Sequence, residues 1–260
     1  MTTQPTAADK RIAFRRMHDT GFFLLPNAWD AGSAVRLAKA GFRAIASTSA
    51  GAAWAAGKED GELGLDDVLD HLRMLVSATP LPVNADFENG FADRPEDVAH
   101  HVSLAVETGV AAVSIEDWSG SLMYETGLAV ERLQAARATI DAIDPAAMLI
   151  GRNENFRVPG MSAADSIARA VAYADAGADC LFVPFIRDKA AVAELVAAVA
   201  PKPVNVVVHD YDAGIRAFAA QGVRRCSVGG SLAKRAWAAV DEAAAVLRRC
   251  ESEAVVSHKD

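Results

Sequence analysis

The stretch Pro82-Val83-Asn84-Ala85-Asp86-Phe87-Glu88-Asn89-Gly90-Phe91 places two carboxylates directly after a short apolar run. The run predicts a strand, and alternate spacing puts Asp86 and Glu88 on one face of an extended chain. Gly90 indicates a loop, before a helix that begins near Pro95. Carboxylates at the end of a strand suit a hard cation such as Mg²⁺, which takes oxygen ligands. The stretch therefore predicts a metal site, with a solvated acidic loop as the alternative.

The same unit of apolar run, polar loop and helix recurs on both sides of this stretch. A glycine that ends a helix before the next strand marks the repeat at Gly41, Gly109, Gly177 and Gly222. About eight such strands, with little alternation and helical crossovers, indicate a parallel sheet that is buried on both faces. In 260 residues they fit a closed barrel better than an open doubly wound sheet.

We therefore predict an α/β fold with one domain over residues 1–260, a single (β/α)₈ TIM-type barrel. A leading helix lies within residues 1–20, and the segment 251–260 is expected to be a disordered tail. The strand Ala44-Ile45-Ala46 leads to Ser47-Thr48-Ser49-Ala50-Gly51, after which a loop of small residues is predicted to run to Asp60-Gly61, and the last helix is predicted from Leu232 to Arg249.

The composition excludes several classes of protein. The chain is 52% hydrophobic, enough for one large core, and its net charge of −8 disfavours nucleic-acid and anionic-membrane partners. Three widely spaced cysteines suggest neither a zinc cluster nor a disulfide framework. We see no signal peptide and no apolar run of membrane-spanning length, so we expect a cytoplasmic protein.

Barrel enzymes build their active sites at the carboxyl ends of the strands. These positions are acidic after the third and fourth strands and cationic after the fifth. Converging carboxylates repel one another, which a divalent cation relieves, and an arginine opposite the cation pairs with a substrate carboxylate. The pattern predicts a small oxyacid and a metal that stabilises an enolate. The strand-end residues are Asn27, Asp30, Ser47, Thr48, Ser49, Gly51, Asp86, Glu88, Glu116, Asp117, Arg152, Glu154, Asn155, Asn205, His209, Ser227, Gly229, Gly230 and Ser231.

Five segments in this order resemble the isocitrate lyase/phosphoenolpyruvate mutase superfamily. They are Leu25-Pro26-Asn27-Ala28-Trp29-Asp30, Thr48-Ser49-Ala50-Gly51, Asn84-Ala85-Asp86-Phe87-Glu88-Asn89-Gly90, Ser114-Ile115-Glu116-Asp117 and Gly151-Arg152-Asn153-Glu154-Asn155-Phe156. The resemblance implies a Mg²⁺ enzyme, with Mn²⁺ as an alternative, that makes or breaks C–C or P–C bonds next to an α-keto acid. It also implies a homo-oligomer, a dimer or a tetramer, that exchanges its last helix between subunits.

The resemblance also implies roles for individual residues. Asp86 is the expected direct metal ligand, Glu88 and Glu116 hold the metal's waters, and Glu116 with Arg152 belongs to the catalytic set. The expected substrate-binding residues are Ser47, Ser49, Ala50, Gly51, Asp60, Arg152 and Asn205. Ser47 stands where the superfamily carries an aromatic residue.

One loop departs from the pattern. The carbon–carbon lyases of the superfamily carry a Lys-Lys-Cys-Gly-His-like loop after the fourth strand, and Trp118–Gly127 has no cysteine, histidine or lysine. The proton donor is therefore open, with Tyr124, on a mobile lid, and His209 as candidates.

The leading hypothesis is a Mg²⁺-dependent lyase that cleaves a C–C bond in a small 2-hydroxy or 2-keto diacid through a metal-stabilised enolate. Oxaloacetate decarboxylation, phosphonopyruvate hydrolysis and mutase-type P–C chemistry are alternatives. Another is a non-catalytic barrel that binds a metal–oxyacid complex. A phosphosugar isomerase-type barrel, with a phosphate on Gly229 and Gly230, is the weakest.

Overall fold

A computed structural model describes residues 5–208, 211 and 213–256, with the side chains of Ala213 and of residues 252–256 left aside. Its strands are β1 (Phe23–Leu25), β2 (Asn27–Ala28), β3 (Ile45–Ser47), β4 (Val83–Asp86), β5 (Ala112–Glu116), β6 (Met148–Arg152), β7 (Cys180–Phe182), β8 (Val204–Val207) and β9 (Arg225–Ser227). Its helices are α1 (Ala7–Arg16), α2 (Ala31–Lys39), α3 (Ser49–Ala55), α4 (Leu65–Ala78), α5 (Pro95–Glu107), α6 (Thr126–Ile143), α7 (Ala163–Asp175), α8 (Lys189–Ala198), α9 (Ala213–Ala220) and α10 (Ser231–Val256). A short 3₁₀ helix spans Asn155–Arg157. The predicted TIM-type α/β barrel is confirmed.

The barrel closes across a proline. The nine strands of the described residues form one sheet in the order β1-β9-β8-β7-β6-β5-β4-β3-β2, and every pair of neighbouring strands in it is parallel. Pro26 separates β1 from β2, because its missing N–H interrupts the ladder. β1 pairs with β9 and β2 with β3, and the Pro26 carbonyl accepts the Ala46 N–H at 2.9 Å. The first βα unit thus contributes two short strands, one on each side of the seam.

The side chain of Asn27 fastens the seam. Its Nδ2 donates to the Ser47 carbonyl at 2.6 Å, and its Oδ1 accepts the N–H groups of Val228 and Gly229 at 3.0 and 2.9 Å. This buried amide thereby joins β2 to β3 and to the loop after β9.

Helix α1 covers the amino-terminal end of the barrel. Phe14 is fully buried there, among Phe23, Leu25 and Met148. Lys10 donates to the Thr79 carbonyl at 2.9 Å, and Arg11 donates to the Val110 carbonyl at 3.0 Å and pairs with Asp144 at 2.7 Å. Arg15 pairs with Asp179 at 2.9 Å. Since long cationic side chains reach the loop carbonyls and carboxylates, the helix is held against several βα units at once.

The segment after β3 differs from the sequence prediction of a loop. Residues Ser49–Ala55 form α3, whose N-cap Thr48 accepts the Gly51 N–H at 3.3 Å. The helix packs closely, since a Cβ on Gly51 would lie 2.7 Å from Thr48 Cγ2 and 2.8 Å from Trp29 Cβ. Small residues hide the helical periodicity here, because they supply contact without an apolar stripe.

Helix α10 extends away from the barrel. It continues to Val256, into the segment for which the sequence predicted a disordered tail, whereas residues 257–260 lie outside the described residues. Every residue from Lys234 to Glu251 is exposed. In the part of the chain that the structure describes, no helix combines the length and apolarity needed to cross a membrane.

Candidate active site

Three carboxylates surround Arg152 at the carboxyl ends of β4, β5 and β6. Its Nη1 lies 2.9 Å from Asp86 Oδ1 and 3.1 Å from Glu116 Oε2, and its Nε lies 2.5 Å from Glu154 Oε1. The parallel register creates this meeting, since Glu116 is the partner of Arg152 across the β5–β6 pair. Burial opposes the charge of Arg152, but the neighbouring carboxylates raise its pKa well above the ordinary value.

Asp86 also binds the start of α3. Its Oδ2 accepts the backbone N–H of Ser49 at 3.0 Å and the Ser49 hydroxyl at 3.1 Å. The Asp86 N–H donates to Ser47 Oγ at 2.7 Å, so β3 and β4 are locked together at this level. Both donors of Ser49 that were predicted to hold a substrate carboxylate are therefore engaged by Asp86.

Glu88 has a strained backbone and an unpaired oxygen. Its φ is +47°, in the left-handed region that a residue with a Cβ seldom adopts. The Glu88 carbonyl accepts the Glu116 N–H at 2.9 Å, which fixes the loop to β5. Its buried Oε1 has no hydrogen-bond partner among the described residues. A buried carboxylate oxygen without a donor suits a ligand that brings positive charge or a bound water.

Burial, aided by neighbouring carboxylates, raises the pKa of three acids in this group. Burial, followed by the charges of Asp86 and Asp60, raises the pKa of Glu88 to about 7. Burial raises the pKa of Glu116 to about 8, although the guanidinium of Arg152 opposes this rise. Burial and then Asp86 also raise the pKa of Asp60. The group is therefore short of positive charge even with Arg152 in its centre.

A divalent cation fits this donor set in one particular manner. Within the described residues, no three histidine, cysteine or acidic side chains converge tightly enough to form a complete protein cage. Mg²⁺ usually keeps several waters and takes only one or two carboxylates directly. One direct ligand with water-mediated neighbours therefore agrees with the open spacing of Asp86, Glu88 and Glu116.

Two cavities meet at this cluster. The first, called the inner cavity, has a volume of about 370 Å³ and runs down into the barrel. The second, called the loop cavity, measures about 360 Å³ and lies under the residues after β5, Trp118 to Gly120. Ser49, Asp60 and Arg152 line both cavities. These three side chains therefore form the boundary at which a ligand could contact either space.

The structure brings most of the predicted site residues to these cavities. The inner cavity is lined by Ser47, Ser49, Ala50, Asp60, Asp86, Arg152 and Asn205, and the loop cavity by Ser49, Asp60, Glu88, Glu116 and Arg152. Gly51 lines neither cavity, because its N–H donates to the hydroxyl of the N-cap residue Thr48 and its Cα packs against Trp29. We assign Gly51 to helix packing in place of the predicted carboxylate binding. His209 lies outside the described residues.

Tyr124 also lies away from both cavities. Its hydroxyl donates to Asp93 and accepts from Asn89 Nδ2 at 3.0 Å. The guanidinium of Arg132 stacks 3.9 Å from the centre of its ring. This geometry gives Tyr124 a structural role in place of the predicted proton donation, because its hydroxyl is occupied by Asp93 and Asn89 and lines neither cavity.

Sequence reasoning missed the bridge between two arginines. Glu154 is fully buried, and its oxygens lie 2.5 Å from Nε of Arg152 and 2.5 Å from Nε of Arg157. Its N–H donates to Asp117 Oδ1 at 2.7 Å. Arg157 stands 5.8 Å from the rings of both Trp118 and Phe185, above the loop cavity. The alternation of arginine and glutamate from residue 152 to 157 was the available signal.

The glycines after β9 serve packing. The N–H of Gly229 is bound by Asn27, and a Cβ on Gly230 would lie 3.0 Å from the ring of Trp54. These contacts speak against the phosphate site that the sequence left open at Gly229 and Gly230.

Fold and site together define a parallel α/β barrel whose polar centre lies at the carboxyl ends of its strands, where such barrels carry their active sites. The sequence profile of the phosphoenolpyruvate phosphomutase family matches residues 14–248. The chain belongs to this family, within the isocitrate lyase/phosphoenolpyruvate mutase superfamily.

Similar proteins include lyases of this superfamily. A crystal structure from Burkholderia cenocepacia J2315, provisionally described as a lyase/mutase, is 44% identical with a TM-score of 0.89, over 94% of this chain and 89% of that one. The crystal structure of 2,3-dimethylmalate lyase is 28% identical with a TM-score of 0.84, over 94% and 88%. The 2-methylisocitrate lyase of Salmonella typhimurium is 36% identical over 164 residues, which are 60% of this chain and 55% of that enzyme.

Proposed function

We propose that this chain is a Mg²⁺-dependent lyase that cleaves a C–C bond in a small 2-hydroxy or 2-keto diacid through an enolate. The observation that carries the proposal is that Asp86 has two sets of partners. Its carboxylate accepts hydrogen bonds from the N–H and hydroxyl of Ser49 and forms an ion pair with Nη1 of Arg152. These donors suit the carboxylate of a substrate. They lie beside Asp60, Glu88 and Glu116, whose carboxylates suit a cation.

Asp86 would hold the metal directly, with Glu88 and Glu116 on its waters. When bound, Mg²⁺ supplies positive charge at the oxygen where an enolate develops. Glu88 offers the buried Oε1 that has no partner among the described residues. Mn²⁺ is the alternative cation, since it accepts the same oxygen ligands.

Arg152 and Ser49 would bind and orient the substrate carboxylate. If Asp86 turned towards a cation, the Ser49 N–H and hydroxyl would become free donors, and Nη1 of Arg152 would lose Asp86 but keep Glu116 as a partner. Glu154 keeps the guanidinium in place through its Nε, so Arg152 retains its orientation while its Nη1 changes partner. The backbone of β4 does not need to move, because the Asp86 N–H stays on Ser47.

The names of the relatives support the reaction type. 2,3-Dimethylmalate lyase and 2-methylisocitrate lyase both name lyases of hydroxy acids with more than one carboxylate. The similarity to 2,3-dimethylmalate lyase extends over 94% of this chain.

Oxaloacetate decarboxylation is the second candidate. No cysteine, histidine or lysine lies among the described residues that line the loop cavity. Decarboxylation through an enolate needs no side chain to protonate a leaving group, because CO₂ departs without a proton. This chemistry therefore demands less of the residues around the cavity than cleavage of a hydroxy acid does.

The experiment combines ligand binding with product detection. Oxalate plus Mg²⁺ should raise the melting temperature of the wild type and of Asp19→Asn, an exposed control. It should leave Asp86→Ala and Asp86→Asn unshifted. Mass spectrometry of 2-hydroxy and 2-keto diacids incubated with enzyme and Mg²⁺ then identifies the bond that breaks. Equal shifts in the Asp86 variants would remove the proposed metal site, and no product from any diacid would favour a binding protein.

We also propose that α10 packs against a second copy of this chain. Trp237, Val240 and Leu247 are 39%, 54% and 71% exposed, and their spacing places them along one side of the helix. An apolar stripe of this length on a projecting helix matches the last-helix exchange that the superfamily resemblance implies.

A further inference from the structure

Arg225 is a fully buried arginine at the deep end of the inner cavity. It begins β9, is 1% exposed, and lines the same cavity as Asp86 and Arg152. Its Nη1 donates to Asn84 Oδ1 at 3.2 Å and lies 3.2 Å from His18 Nε2. Asn84 stands two residues before Asp86 on β4, so this guanidinium lies one inward-facing layer below the carboxylate cluster.

No carboxylate of the described residues pairs with Arg225. Arg11 pairs with Asp144 and Arg152 with three acids, whereas the equally buried Arg132 donates to three backbone carbonyls. Among the described residues, Arg225 has neither a carboxylate nor a backbone carbonyl as a partner. A guanidinium keeps its charge inside a protein, and a buried charge is ordinarily paired. Arg225 therefore has a charge that its protein neighbours do not balance.

Both polar neighbours of Arg225 are neutral. His18 Nδ1 lies 2.9 Å from the Phe14 carbonyl and must donate to it, so Nε2 is the acceptor that faces Arg225. Burial, and then the charge of Arg225, lowers the pKa of His18 to about 3. Asn84 contributes an uncharged amide oxygen. Neither group supplies the negative charge that would offset the guanidinium.

Three polar atoms without a partner come from residues that line this cavity. They are Nε of Arg225, the hydroxyl of Ser114 and Oδ1 of Asn205, all buried. Asn205 is the direct register partner of Arg225 on β8. Its Nδ2 lies 3.1 Å from Ser227 Oγ, and since a hydroxyl can donate or accept, the amide can present either its oxygen or its nitrogen to the cavity.

Space for a small ligand exists at this depth. The small side chains of Ala46 and Ser114, on the two strands that flank β4, line the inner cavity together with the larger Leu25 and Phe182. The inner cavity thus extends continuously from Asp86 at the mouth to Arg225 at the floor.

We propose that the floor of the inner cavity is an anion subsite, in which Arg225, Ser114 and the Asn205 amide bind one carboxylate or one small monoanion. The chemistry is the same whether that group is the far carboxylate of a diacid or a free ion. Only the first source rests on the proposed function, because a free anion needs neither Mg²⁺ nor turnover.

The test uses bromide as the probe, without metal, in a chloride-free buffer. Bromide should raise the melting temperature of the wild type in a saturable manner, and sodium isethionate at equal ionic strength should not. Arg225→Gln should abolish the response, and Ser114→Ala should weaken bromide binding by about tenfold. Arg43→Gln, at an exposed arginine, is the matched control and should respond like the wild type.

Crystals soaked in bromide provide the second measurement. Anomalous density is expected beside the Arg225 guanidinium in the wild type. An equal thermal response in Arg225→Gln, or bromide density only at the surface or at Arg152, would overturn the subsite. If Arg225→Gln fails to fold, Ser114→Ala and the anomalous map decide the question, since removing one hydroxyl leaves the packing in place.

Competition then distinguishes the two sources. Malate with Mg²⁺ should displace bromide from Arg225 if the far carboxylate of a diacid occupies the subsite, whereas oxalate is too short to do so. Bromide that stays bound beside either acid indicates a free anion. Both results support the subsite, and neither depends on whether the chain cleaves a C–C bond.

Discussion

Asp86 and Ser49 are joined by two hydrogen bonds, from the Ser49 N–H at 3.0 Å and from its hydroxyl at 3.1 Å to the same carboxylate oxygen. The residue expected to bind the metal thus covers the donors expected to bind the substrate. If Asp86 turned towards a bound cation, those donors would become free, so we expect metal and oxyacid to bind with positive cooperativity.

Ser49→Ala tests this coupling. The variant keeps the backbone N–H and loses the hydroxyl, so the Kd of oxalate in saturating Mg²⁺ should rise about tenfold, corresponding to one hydrogen bond to a charged group. Isothermal titration calorimetry measures it. Ser77→Ala, at an exposed serine of α4, should bind oxalate normally, and an unchanged Kd in Ser49→Ala would remove Ser49 from the oxyacid site.

Arg152→Lys should damage binding although it keeps the charge. One ammonium cannot replace a guanidinium whose Nη1 and Nε contact three acids in fixed directions. We expect oxalate affinity to fall by about tenfold to a hundredfold and the melting temperature to drop. Arg43→Lys serves as the control in the same titration and thermal scan. Wild-type affinity in Arg152→Lys would show that Arg152 acts only as a structural ion pair.

Tyr124→Phe separates a structural hydroxyl from a catalytic one. The hydroxyl bonds to Asp93 and Asn89, so its loss should lower the free energy of unfolding by about 1–2 kcal/mol. Denaturant titration measures this, and kcat on whichever diacid is turned over should change little. A fall in kcat of about a hundredfold or more, as for a lost general acid, would return Tyr124 to the catalytic set.

His18 predicts a loss of stability in mild acid. Its folded-state pKa of about 3 lies below the ordinary value of 6.5, so the unfolded chain takes up a proton that the folded chain rejects. The free energy of unfolding should therefore decrease as the pH falls below 6.5, by about 2 kcal/mol between pH 7.5 and 5 from this residue. His18→Gln should show a correspondingly flatter pH profile than the wild type and than His100→Gln, an exposed control. Parallel profiles for all three proteins would contradict the buried neutral imidazole.

Helix α10 predicts a change of assembly on substitution. Leu247→Glu combined with Val240→Glu should shift the protein to a smaller species in light scattering after size-exclusion chromatography, because charges then replace the exposed stripe. Glu242→Gln, in the same helix, should not. A monomeric wild type would rule out the packing of α10 on a second copy.

The sequence predicts the barrel and the carboxylate cluster for the same reason. Parallel strands bring their carboxyl ends together, so Asp86, Glu116 and Arg152 could be grouped from their places after three strands. The length of α3 was not readable, because Ser49-Ala50-Gly51-Ala52-Ala53 carries no stripe of large apolar side chains.

Contacts that depend on side-chain direction were out of reach. The Tyr124 hydroxyl bonds to Asp93 and does not line a cavity. This follows from the path of the chain between β5 and α6, which the pattern of strands does not define. Arg225 begins an apparently apolar strand, and only its register beside Asn205 shows that it points into the barrel. The contact between Asp86 and Ser49 required the capped start of α3, which the sequence had presented as a loop.

The contacts that anchor α1 and the loop that lines the candidate active site lie at opposite ends of the barrel. Lys10, Arg11 and Arg15 fasten the helix to loops at the amino-terminal end, whereas the segment from Trp118 to Tyr124 lies at the other end and touches none of those contacts. An engineer could therefore graft that segment from a related lyase without weakening the anchored end. The same independence lets such barrels diverge in substrate during evolution while their framework is retained.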